Sequence, residues 1–133
     1  MEGRFGRNPP TTADAVHLSF PPSALNLRVA RVTAAAVAGR LGLGARDVED
    51  VSVAVNELTT ALMQAGPRSE IELEFTNQSD QFTAEGSASV EVATRLSDVA
   101  QESLDVVIDR FEMSQVDDRA HFRAVKRSSP RVP

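Results

Sequence analysis

The chain has 133 residues and a formal charge of −5 at neutral pH, with 14 Lys and Arg against 19 Asp and Glu. This is enough for one domain with its own core, and the lack of cysteine excludes disulfides, thiolate metal sites and a cysteine nucleophile. Scattered basic residues, no Trp, no Tyr and only six Phe disfavour a nucleic-acid surface, which needs clustered cations and stacking rings. An acidic chain is better suited to a basic protein partner. No apolar run reaches the roughly 18 residues of a membrane span, and Met1–Pro10 has no hydrophobic stretch of the kind a secretory signal needs. The cytoplasm is the expected location.

In chain order, residues 1–14 are rich in Pro, Gly, Thr and Arg and read as a disordered arm, and residues 128–133 as a disordered tail, leaving 15–127 as the folded domain. Val16, Leu18 and Phe20 alternate with His17 and Ser19, a half-buried strand stopped by Pro21-Pro22. Ser23 is an N-cap for a helix running to about Leu41, with Leu25, Val29, Val32 and Ala36 as its expected core stripe and Gly42 ending it. The clearest element is a second helix from about Ala45 to Ala65. Its apolar seam is Val48, Val51, Val55, Leu58, Leu62 and Ala65, with Asp47, Glu49 and Asp50 favouring its N-terminal dipole and Gly66-Pro67 terminating it.

Ile71–Phe75 and Phe82–Ala84, separated by Asn77-Gln78-Ser79-Asp80, form a hairpin signal. A third helix is expected over Val92 to Arg110, with Leu96, Val99, Leu104, Val107 and Ile108 inward. Phe111–Met113 and His121–Val125 close the chain as two strands joined at Asp117-Asp118. This order predicts an α+β fold: a two-layer α/β sandwich whose mixed, mostly antiparallel sheet is covered on one face by three helices.

Few side chains invite chemistry. Glu57 points away from the seam of the second helix, with Ala54 and Ala61 as its small neighbours one turn away. It is either a solvated carboxylate or one facing a cleft lined with small side chains. His17 and His121 stand alone on strands and read as structural. Ser97, Asp98 and His121 form no nucleophile signature. Glu70, Glu72 and Glu74 share the solvated face of a strand, and Met63 and Met113 read as core filling.

Val55-Asn56-Glu57-Leu58-Thr59-Thr60-Ala61 resembles the N-box of the anti-sigma-factor serine kinases, a bacterial branch of the histidine-kinase-like ATPase fold. The order of elements agrees with that family over about residues 15–126. The resemblance implies that Glu57 corresponds to the general base and that the magnesium-binding Asn four residues later falls on Ala61, which has no ligand atom. It places the adenine box, an Asp-x-Gly-x-Gly in the family, on Glu85-Gly86-Ser87-Ala88-Ser89, with Glu85 and Gly86 as the remaining cofactor-binding positions. Both later box glycines are Ser, and residues 90–103 contain no Gly for a lid.

The expectation is therefore an anti-sigma factor that sequesters a sigma factor and is released by an anti-anti-sigma protein, without nucleotide or metal. The alternative is an active ATP- and magnesium-dependent serine/threonine kinase acting on that antagonist, with Glu57 as base. A nucleotide-independent scaffold unrelated to transcription is a third reading. The resemblance puts the sigma surface on the first two helices, bringing in Arg28, Arg31 and Arg40 as exposed charges, and leaves a homodimer open.

Overall fold

The computed structural model describes residues 14–128. Apart from Asp14 and Ser128, the expected arm and tail lie outside the described residues. The elements run β1 (Asp14–Phe20), α1 (Ala24–Arg40), α2 (Ala45–Ala65), β2 (Ile71–Gln78), β3 (Gln81–Ser89), α3 (Asp98–Val107), β4 (Arg110–Val116) and β5 (Arg119–Arg127). The strands form one sheet in the order β1-β2-β3-β5-β4. All four ladders are antiparallel, so the expected mixed sheet is corrected to a wholly antiparallel one. Helices pack on one face, giving the two-layer α/β sandwich. No helix among the described residues is long and apolar enough to cross a membrane.

Alternation sets which face each strand residue takes. Val16, Leu18 and Phe20 of β1, Ile71, Leu73 and Phe75 of β2, Phe82, Ala84 and Ala88 of β3, and Ala120, Phe122 and Ala124 of β5 turn toward the helices. Phe75 and Phe82 stack with ring centroids 6.0 Å apart. Both hairpins turn in two residues, with Ser79 and Asp117 at positive φ of 57° and 54°. The strands are consequently longer than the apolar alternation alone suggests.

α2 has the bounds its periodicity predicts, with Val51, Val55, Leu58, Leu62 and Ala65 buried. α1 is capped at Ser23, whose Oγ accepts from Asn26 N at 3.1 Å, and ends at Gly42 with φ 92°. Its expected inward stripe is corrected, because the structure buries Ala30, Ala34, Val37 and Ala38 instead. Alanines at four-residue spacing let α1 approach its neighbours closely, and Asn77 Nδ2 reaches across to donate to Val37 O at 2.6 Å. Leu25, Val29, Val32 and Ala36 are left facing solvent.

α3 is shorter at both ends than expected. Ser97 caps it, accepting from Ala100 N at 3.1 Å, and residues 92–97 precede it as irregular chain. Val99, expected inward, is 75% exposed, while Ala100 and Leu104 carry the packing.

Candidate functional site

Glu57 sits on α2 and is half-buried. It makes no hydrogen bond or ion pair among the described residues. Its small neighbours one turn away, Ala54 and Ala61, belong to the buried side of α2. Glu57 lines neither the depression beside Glu85, nor the one at residues 78–81, nor the one beside Thr94 and Phe111. Its neighbour Asn56 is engaged instead, accepting from Arg31 Nη1 at 2.9 Å. Arg31, expected as an exposed charge, is therefore a half-buried tie between α1 and α2, while Arg28 and Arg40 are exposed.

Glu85 and Gly86 lie in the middle of β3, and the ladder to β5 runs unbroken through Ser89. Adjacent residues of a strand face opposite sides. Glu85 projects from the helix-free face, where its Oε2 lies 3.3 Å from Arg123 Nε. Gly86 turns toward the core, and a methyl there would stand 2.7 Å from both Leu73 Cδ2 and Phe122 Cζ. The glycine makes room for the Phe122 ring. Gly86→Ala is accordingly expected to overpack the core and cost roughly 1–3 kcal/mol, measured by urea denaturation. A change smaller than the error of the fit would show that the Phe122 ring relaxes freely.

The rest of the segment is also committed within the fold. Arg119 Nη2 donates to Ser87 Oγ at 3.0 Å, and its Nη1 to Ser89 Oγ at 3.4 Å, while Ala88 is buried. Beyond β3 the chain crosses the end of α2, where Glu91 N donates to Ala65 O at 2.7 Å. Arg68 and Glu91 close the crossing with two bonds of 3.0 Å. Hydrogen bonding and the nearby guanidinium hold the Glu91 carboxyl below the usual carboxylate range despite its modest desolvation. The clasp is present above that range and loosens as acid protonates Glu91; on so exposed a pair it adds little stability.

Glu57 in the helical layer and Glu85 on the helix-free face are thus separated by the sheet. The structure does not bring the expected base and the expected adenine contact into one cavity. Glu85 lines a different depression of about 250 Å3 on the helix-free face, with Glu72, Glu74, Ser87, Arg119 and His121 around it. Among the described residues no three His, Asp or Glu are grouped to hold a metal ion.

Lys126 is a residue that sequence reasoning missed. It occupies an inward position of β5 between the ends of two helices. Its Nζ donates to Val107 O at 2.9 Å and lies 3.6 Å from Asp47 Oδ1 and 3.4 Å from Asp50 Oδ2. One cation thereby meets the negative end of α3 and the two acids in the first turns of α2. The signal was available: Lys126 shares the parity of Phe122 and Ala124.

Searches against protein-family models and curated proteins give no match to this chain.

Proposed function

We propose that this chain is a cytoplasmic regulatory binding protein: an anti-sigma factor of the partner-switching type that holds a sigma factor without nucleotide and without kinase activity. The observation that carries the reading is the use of residues 85–89 inside the fold. Glu85 pairs with Arg123, Gly86 accommodates Phe122, and Ser87 and Ser89 bind Arg119. Each of these residues already has a structural task within the sheet, and Ala61 supplies no oxygen for magnesium. Inhibition by occlusion needs only a complementary surface, and α1 presents aliphatic side chains and Arg28 to solvent.

The competing kinase reading requires ATP and magnesium to bind through Glu57 and Glu85. A ligand present at 100 times its dissociation constant stabilises a folded protein by about 2.7 kcal/mol, a rise of several degrees in Tm for a domain of this size. Thermal melts with and without millimolar ATP and magnesium are expected to coincide. A clear rise that disappears on Glu85→Ala would restore the kinase.

A further inference from the structure

β4 is an edge strand with β5 as its one neighbour. The two-residue turn at Asp117-Asp118 makes Val116 and Arg119 a hydrogen-bonded pair, and such pairs alternate along an antiparallel ladder. The peptide groups of Arg110, Glu112, Ser114 and Val116 therefore bond to β5. Those of Phe111, Met113 and Gln115 point out along the open edge, and among the described residues no strand pairs with it. The half-buried side chains of Phe111 and Met113 turn to the helix side. There, with Thr94, Leu96 and Gln101, they line a groove of about 270 Å3 between β4 and α3. Thr94 N, bonded to Gln115 Oε1 at 3.0 Å, closes one end.

Ile108 and Asp109 alone join α3 to β4, so the strand doubles back along the helix. Asp98 and Asp105, three residues before Gln101 and four after, share its side of α3. Both are exposed and without an ion pair among the described residues, and α3 carries no Lys or Arg. The groove thus has an apolar floor and a negative charge near each end of its rim.

We propose that β4 takes up an extended segment of a partner protein as a sixth strand, one that places a basic, an apolar and a second basic residue at alternate positions. Main-chain bonds to Phe111, Met113 and Gln115 hold the segment, and alternation sends every second side chain toward the groove. The central aliphatic side chain covers Phe111 and Met113, and the flanking cations meet Asp98 and Asp105. The lengths agree: seven helical residues rise about 10 Å, and four strand residues span about 13 Å. Residues between the anchors lie beside Arg110, Glu112 and Ser114 and are polar. A helical partner fits less well, since it would cover the edge without bonding its peptide groups. The site lies away from α1, and it does not depend on the anti-sigma reading.

The probe is a fluorescein-labelled peptide, Gly-Arg-Thr-Leu-Thr-Arg-Gly, titrated into the full-length chain by anisotropy, with amide exchange followed by NMR. Saturable binding weakened by salt is expected, with slowed exchange at Phe111, Met113 and Gln115. N-methylation of the three central peptide residues should abolish it. Asp98→Arg combined with Asp105→Arg should weaken it about tenfold, and a peptide with Glu in place of both Arg should recover the loss. Both positions are exposed, and circular dichroism confirms the fold of the variant. No binding at millimolar peptide overturns the proposal. So does binding indifferent to N-methylation, or binding that slows exchange on β1 or α1 and not on β4. Slow exchange at the three edge amides in the free chain would show the edge already paired and overturn it as well.

Discussion

Lys126→Met is expected to destabilise the protein by about 3 kcal/mol, because it removes the cation that lies beside the partly buried carboxylates of Asp47 and Asp50. The Lys126 side chain is 11% exposed, and those of Asp47 and Asp50 are 15% and 23% exposed. Water therefore screens the cluster only in part. Methionine keeps the unbranched stem and approximate volume, so the loss falls on charge and on the bond to Val107 O. For a domain of this length the effect corresponds to a fall in Tm of roughly 10 °C. Adding Asp47→Asn and Asp50→Asn to Lys126→Met should recover part of the loss, since the two carboxylates that Lys126 balanced are then neutral. If the triple variant is no better than Lys126→Met, the residue acts through packing and the electrostatic account of the clamp is wrong.

Within α2, neighbouring substitutions should differ sharply. Leu62 is fully buried, and Leu62→Ala is expected to cost roughly 2–5 kcal/mol, the range for deleting a core leucine and leaving a cavity. Glu57 lies outside the core and has no polar partner among the described residues, so Glu57→Gln should change stability by less than about 0.5 kcal/mol. Urea denaturation of both variants at neutral pH measures the difference directly. The reverse order would make Glu57 a structural carboxylate and misplace the outer face of α2.

The legibility of the fold varied with how lopsided each pattern was. α2 could be read to the residue because its apolar seam faces a polar side and its ends carry acids and Gly-Pro. The alternation in β1 and β2 identified the core side chains for the same reason. α1 was ambiguous: it is apolar on nearly every side, so a 3.6-residue period runs equally through Leu25 and through Ala30. Helix packing chose the alanine face, where small side chains permit close contact, and sent the larger residues outward. For α3, Val92 and Leu96 continued the apolar pattern, but Ser97 supplies the cap, and Thr94 N instead donates to Gln115 at 3.0 Å.

The candidate site was less legible, since it depends on which residues three-dimensional packing brings together. Strand parity alone shows that Glu85 and Gly86 face opposite ways. It does not reveal that Arg123 and Arg119 come from β5 to meet Glu85, Ser87 and Ser89. Nor does the sequence order of Asp47, Asp50 and Lys126 indicate a contact across 76 residues. The Arg119 and Arg123 pairings follow from the strand order, in which β5 inserts between β3 and β4, and the Lys126 contact from the packing of α2 on β5.

The most direct test of the regulatory reading is capture of the partner. The tagged full-length chain serves as bait in a lysate of its source cell depleted of ATP, and the retained proteins are identified. The account predicts recovery of a sigma factor or its antagonist without added nucleotide, with slower capture by a folded bait carrying Arg28→Glu and Arg40→Glu. A folded wild-type bait that repeatedly retains neither protein, or retains one only when ATP and magnesium are restored, would contradict it.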